Sequence, residues 1–302
     1  MPNPLPVANR GWTVLKVLQW AAAFLKERGI DSPRSTAELL LAHALASERV
    51  QLYVHHDQPL EQAELSVFKQ LLLRRLHGEP AAYILGRKGF WTLELKVTPD
   101  VLIPRPETEC LVEAALAFLK KLPAGRSRVL DLGTGSGAIV LALAAEAPEH
   151  CYFACDLSPE AAAIARLNAG EAGVSGRVVF WAASWFSALK PGRALFDLIV
   201  SNPPYVASAA IDRLAPEIAL HEPRLALDGD ADGLRSYRAI VGEAHRYLAP
   251  GGRLLLEIGS DQRPAVQQLA EQCGTYDGFS CSRDYSGHDR VVSLLKKDVA
   301  TR

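Results

Sequence analysis

Apolar residues between Trp12 and about Leu85 recur at helical spacing. Val14, Leu15, Leu18, Ala22 and Leu25 share one face, and Leu39, Leu40, Ala44 and Leu45 share another. The pattern predicts an N-terminal α-helical bundle over residues 1–85. Gly29 is placed to end the first helix, Ser35 or Thr36 to cap the second, and Pro59 to stand near the start of the third. Over residues 86–105 the period shortens: Phe90, Trp91, Leu93, Leu95 and Val97 suggest short strands interrupted by Pro99, Pro104 and Pro106, which reads as a β-hairpin linker. A helix is predicted from Pro106 to about Leu122, because proline suits a first turn and Glu107 and Glu109 favour the positive end of the helix dipole.

Beyond that helix, apolar runs at 128–133, 151–156, 178–183, 196–201 and 253–258 alternate with helical stretches. This alternation predicts a parallel sheet with right-handed crossovers. Two last runs, 279–283 and 290–295, flank Ser286-Gly287 and predict an antiparallel hairpin. The expected fold class is α/β, with a seven-stranded, mostly parallel sheet over residues 106–302 behind the helical bundle.

Composition narrows the picture. A chain of 302 residues with 49% hydrophobic and 22% charged residues is an ordinary globular protein with room for two domains. Its 33 basic and 34 acidic residues nearly cancel, so no net field draws it to nucleic acid or anionic lipid. Cys110, Cys151, Cys155, Cys273 and Cys281 are odd in number and form no CxxC pair, which argues against a disulfide framework and a zinc site. No run reaches the roughly 18 apolar residues of a membrane span. A cytoplasmic monomer without metal or membrane association is expected.

Candidate chemistry begins at Asp131-Leu132-Gly133-Thr134-Gly135-Ser136-Gly137, between a predicted strand and a predicted helix. Glycines there permit positive φ and let a ligand approach the main chain. The spacing is GxGxG, without the dinucleotide pattern or the Lys-Ser/Thr of a phosphate loop, which disfavours phosphate binding. Asp156 ends the next strand, where a carboxylate can accept hydrogen bonds from both hydroxyls of a free ribose; its alternative role is to cap the following helix. Trp185 closes the third strand and is either an adenine-stacking residue or a core tryptophan.

Asn202-Pro203-Pro204-Tyr205 follows the fourth strand, at the carboxyl edge where open α/β sheets bind ligands. Successive prolines hold Asn202 extended. An amide or exocyclic amino nitrogen is a poor nucleophile because its lone pair is delocalised. The Asn202 side-chain carbonyl and the Pro203 main-chain carbonyl can each accept one N–H of such a group and aim its lone pair, while Tyr205 packs on its flat face.

Together these motifs resemble the class I S-adenosylmethionine-dependent methyltransferases. With Gly89-Phe90-Trp91, the passage from Ile103 through Arg105 to Glu109, and His221-Glu222-Pro223-Arg224-Leu225-Ala226-Leu227, the chain is similar to the glutamine methyltransferases of peptide chain release factors. The resemblance implies a Rossmann-like methyltransferase domain over 106–302. It implies S-adenosyl-L-methionine held by Asp131, Gly133, Thr134, Gly135, Ser136, Gly137, Asp156, Trp185 and Asn202, and a substrate glutamine held by Asn202, Pro203, Pro204 and Tyr205. The partner it implies is the Gly-Gly-Gln loop of a release factor, gripped by the helical bundle. Ser184 departs from the Asp found in many relatives.

Adenine N6 of DNA or RNA also offers a planar amino group, but basic pairs such as Arg74-Arg75 and Arg87-Lys88 are scattered, and no groove-lining cluster is evident. A ribosomal-protein glutamine is a further alternative, disfavoured because its enzymes resemble Pro-Arg-Ser-Pro where this chain has Pro-Arg-Pro-Glu. Asp228-Gly229-Asp230-Ala231-Asp232-Gly233 mimics half a calcium loop, yet Ala239 stands where a bidentate Glu is required, so a solvated turn is expected. His221 and His288 are read as surface or packing residues, Arg105 and Glu107 as a helix-start ion pair, and Glu257 as lining the site or accepting a backbone N–H.

Overall fold

The computed structural model describes residues 11–122, 127–191 and 195–297. One compact unit runs to Gly86 and takes in Pro216–His221; the other comprises Arg87–Ala215 and the residues from Glu222 onward.

In the first unit, helices Val14–Glu27, Pro33–Ala44, Gln51–Val54, Gln62–Leu76 and Ala81–Leu85 enclose Val17, Leu18, Leu40, Leu41, Phe68 and Leu72, none more than 1% exposed. Gly29 lies just past the first helix with φ +69°. The second helix starts earlier than expected. Pro33 occupies its first turn, where a missing N–H costs nothing, so Ser32 is the cap and Ser35 and Thr36 lie inside the helix. Pro59 does stand just before the long helix Gln62–Leu76, where it forms an isolated bridge with Thr13; the helix opens at Glu61, whose capping box with Glu64 satisfies the first N–H groups. Helix Pro216–His221 belongs here because buried Arg75 meets Glu217 at 2.5 Å. A guanidinium removed from water needs such a partner.

The second unit opens with the hairpin β1 (Arg87–Phe90) and β2 (Leu93–Lys96), turning through Trp91 at φ +54°. Its main sheet contains β3 (Arg128–Leu132), β4 (Cys151–Asp156), β5 (Val178–Ala182), β6 (Phe196–Ser201), β7 (Leu248–Glu257), β8 (Tyr276–Arg283) and β9 (Asp289–Lys296). The order is β5-β4-β3-β6-β7-β9-β8, with the first five parallel and β9 antiparallel to both neighbours. This is the expected seven-stranded α/β arrangement, closing hairpin included. One strand differs: β7 starts at Leu248, although Pro250-Gly251-Gly252 reads as a turn. A register irregularity against β6 absorbs those residues, as a bulge allows.

Alternation along the strands divides the core. Val129, Leu198, Val200 and Leu255 face helices Glu109–Leu119 and Ala138–Glu146, whereas Leu130, Leu132, Ile199, Leu254 and Leu256 face helices Arg235–Ala244 and Arg263–Cys273. The helix expected from Pro106 begins as the 3-10 turn Pro106–Thr108 and ends at Leu119. Order reverses at β3, which puts a crevice at the carboxyl ends of β3 and β6.

Candidate active site

In-register pairing of Leu132 with both Cys155 and Ser201 brings the loops after β3, β4 and β6 to one edge of the sheet. They surround a cavity of about 740 Å³ lined by Gly133, Thr134, Gly135, Ser136, Asp156, Trp185, Asn202 and Pro204 of the residues singled out above. Asp131, Gly137, Pro203 and Tyr205 are not among its lining residues.

Gly133 and Thr134 both donate their N–H to the Cys155 carbonyl, at 2.9 and 3.0 Å, which folds the chain sharply off β3. The three glycines have φ of +71°, +56° and +87° but different tasks. A Cβ on Gly133 would lie 3.6 Å from the Trp185 ring, and one on Gly135 would meet open space. On Gly137 it would press within 2.9 Å of Leu141 Cδ1 and 3.3 Å of Ala165 Cβ. Gly137 therefore seats its helix, and a cavity contact is not its role.

Asp131 is fully buried and accepts the Thr134 hydroxyl at 2.7 Å, while its other carboxyl oxygen has no partner. Burial pushes its carboxyl up to about 7, aided by the nearby Asp156 charge and opposed by the Thr134 hydrogen bond. The neutral form is thus favoured in the folded state, whereas the unfolded group ionises near 3.8. The stability this contributes is complete below pH 4 and is lost as pH rises through 7. Asp131→Asn cannot ionise, so thermal unfolding measured from pH 5 to 8 is expected to show a shallower decline than the native chain; identical slopes would refute the assignment.

Asp156 is not the helix cap: Ser158 is, accepting the Ala161 N–H at 3.0 Å. The Asp156 carboxylate takes the Gly135 N–H at 2.8 Å and the Ser158 N–H at 2.9 Å, one on each oxygen. The carboxylate also lines the cavity, and an oxygen that accepts one N–H can accept a second donor. Trp185 packs on the second core layer and also lines the cavity, with its backbone at φ +46°.

Asn202 donates from Nδ2 to Thr108 Oγ1 at 3.1 Å. Pro203 is buried, and Tyr205 packs on the second core layer instead of standing free in the cavity. The tetrad is braced from behind: Gln262 Nε2 donates to the Tyr205 carbonyl at 3.0 Å, and the Gly229 N–H to the Val206 carbonyl at 2.8 Å. That brace explains the acidic turn. Asp228 accepts Ser208 Oγ at 2.6 Å and the Asp230 N–H at 2.9 Å, and Asp232 pairs with Arg238.

Arg105 does not pair with Glu107. It meets Glu222 at 2.5 Å, and buried Glu222 also accepts the Ile103 N–H at 3.2 Å, tying two walls of the cavity together. His288 stands 3.9 Å from Asp284, and His221 lies in the helical unit. Glu257 is not among the residues lining the cavity and no backbone N–H to it is found among the described residues; it is 1% exposed, and burial pushes its carboxyl up to about 7. Thr108 lies within the Ile103 to Glu109 passage, but nothing local marks it as the partner of Asn202, and the lining residue Leu102 is not singled out by any sequence pattern.

A reversed-order parallel sheet with a glycine turn and this cavity at its carboxyl edge defines a methyltransferase of the Rossmann-like class. The fold is shared with the human methyltransferase 10 domain containing protein, at a TM-score of 0.51 and 16% identity, over 68% of this chain and 88% of that one. Family models match twice, the PrmC N-terminal domain over residues 16–86 and the methyltransferase small domain over 111–230. The chain is 44% identical to the release factor glutamine methyltransferase of Geobacter sulfurreducens, covering 93% of this chain and 96% of that protein. It is 45% identical to the one from Cereibacter sphaeroides, covering 91% and 96%. The chain belongs to the release factor glutamine methyltransferases.

Proposed function

We propose that the protein transfers a methyl group from S-adenosyl-L-methionine to the side-chain amide nitrogen (N5) of the glutamine in the Gly-Gly-Gln motif of a peptide chain release factor. The observation that carries this reading is the Asn202 amide at the end of β6, with its nitrogen engaged by Thr108 and its oxygen left to accept from a substrate NH2. Relatives above 40% identity are named for release factors, which favours glutamine over adenine N6 or a ribosomal protein.

The cavity suits the cofactor. Open space at Gly135, the lone pairs of Asp156 and the unpartnered buried Ser136 hydroxyl form a cradle for a nucleoside with a polar tail. Gly133 through Ser136, Asp156 and Trp185 would hold it, with Asp131 bonded to Thr134 of the loop. When bound, it supplies an electrophilic methyl carbon on a sulfonium. Asn202 Oδ1 and the Pro203 carbonyl orient the glutamine NH2 so that its lone pair faces that carbon, and Pro204 fixes the plane of the tetrad. No strong base is needed, because the nitrogen that gains the methyl becomes acidic and releases one of its protons to water.

The test is incubation of the purified protein with methyl-labelled S-adenosylmethionine and a release factor, a ribosomal protein or DNA. Label on the Gly-Gly-Gln glutamine is expected. Label on adenine without label on glutamine would overturn the reading.

A further inference from the structure

Asparagine is a poor helix residue, because its side chain competes for the main chain, and an amide taken out of water costs free energy unless its polar atoms find partners. Helix Pro159–Glu171 buries one all the same. Its buried residues are Ala161, Ala162, Ile164, Ala165, Ala169 and Asn168, the last 1% exposed.

Three hydrogen bonds commit the Asn168 amide. Nδ2 donates to the Ser136 carbonyl at 2.8 Å and to the Lys96 carbonyl at 3.0 Å, while Oδ1 accepts the Lys96 N–H at 2.8 Å. Turning the amide over would set its oxygen against two carbonyls, so its partners fix the orientation. Lys96 is the last residue of β2, and the side chain takes both of its main-chain groups as a neighbouring strand would. Ser136 belongs to the glycine turn. The same helix reaches that turn a second time: a Cβ on Gly137 would lie 3.3 Å from Ala165 Cβ, three residues before Asn168 and therefore on the same helix face.

Both ends of this bridge lead into walls of the cavity. Ser136 lines it, is 2% exposed and has a hydroxyl with no partner among the described residues. Lys96 is not a lining residue, but the chain leaving β2 lines the cavity at Pro99, Asp100, Val101 and Leu102. Asn168 is not a lining residue either, so it joins two walls without occupying the space between them.

We infer that Asn168 is a positioning residue for cofactor binding: through Ser136 and Lys96 it fixes the glycine turn against the 99–102 segment and so sets the opening that S-adenosylmethionine enters. The inference rests on the reading of this cavity as the cofactor site. Neither partner of Asn168 belongs to the tetrad, so the effect falls on cofactor affinity and spares transfer once the cofactor is bound.

The test uses the full chain. Affinity for S-adenosylmethionine is measured by calorimetry well below the melting temperature, together with the melting temperature itself and, at saturating cofactor, kcat and KM for the release factor. Asn168→Asp keeps the shape and the acceptor for Lys96 and loses both donations. Its dissociation constant for S-adenosylmethionine is expected to rise about 10- to 100-fold, the loss seen at metal sites when a group that orients the ligands is removed. Both kcat and KM for the release factor should stay within about threefold of native, since only cofactor binding is weakened. Asn168→Ser, small enough to admit a water to the freed carbonyls, should weaken cofactor binding in the same direction. A lowered melting temperature with native cofactor affinity in both variants would mark a merely structural role and overturn the inference. The native chain supplies a readout that needs no variant. Saturating cofactor should slow hydrogen exchange at the Lys96 N–H, which is bonded to Asn168 and does not line the cavity; an unchanged rate there would overturn the inference. If the native chain fails to bind S-adenosylmethionine, the cofactor reading falls and the inference with it. If the native chain and both variants bind it equally, the inference alone falls.

Discussion

Asn202→Ala is expected to lower turnover with release factor by on the order of 10²-fold or more, the usual cost of deleting one preorganised group at a reacting centre. The loss should fall mainly on kcat. Asn202 is only partly buried and spends its nitrogen on Thr108, so its removal leaves the β6 end, the two prolines and the Gln262 brace in place. Melting temperature should therefore change little. Single-turnover transfer of labelled methyl groups, with cofactor saturating, separates the chemical step from binding. A folded variant with native turnover would remove Asn202 from the reaction.

Gly233→Ala should do comparable damage from outside the cavity. Gly233 sits at φ +74°, and a Cβ there would come within 2.4 Å of the Tyr205 carbonyl oxygen and 2.8 Å of Gln262 Nε2. Left-handed backbone alone costs an alanine roughly 1–2 kcal/mol. The clash adds to that, because the nearest atom is backbone and cannot swing away. Either the acidic turn or the tetrad has to shift, and a shift of about 1 Å at the tetrad can cost 10²-fold in rate. A control separates strain from displacement. Gly278 also has positive φ, +63°, but its Cβ would meet nothing nearer than Leu295 Cβ at 4.0 Å. Gly278→Ala should lose stability and keep activity; equal loss of activity in both variants would defeat the argument.

These two sites differ in how far they can be read from sequence. Asn202 and its prolines are contiguous, as are Gly133 to Gly137, and motifs of that kind announce themselves locally. Strands such as Cys151–Asp156 and Phe196–Ser201 were equally plain, because a buried parallel strand is a short apolar run between turns. The supporting contacts are a different matter. Thr108 meets Asn202 from 94 residues away, Glu222 meets Arg105 from 117, and Arg75 meets Glu217 from 142. No pattern in the chain announces such pairs, since they exist only once the sheet has aligned its strand ends. The start of the second helix is ambiguous for a simpler reason: Pro33 is both a breaker and a good first residue, and Ser35 and Thr36 beside it are residue types that cap helices.

The walls of the cavity come from residues as far apart as Pro99 and Ala239, and they meet only when β3 has β4 on one side and β6 on the other. The cavity is therefore a product of tertiary assembly: no single contiguous segment contains it, and each of its walls depends on the register that holds the strand ends together.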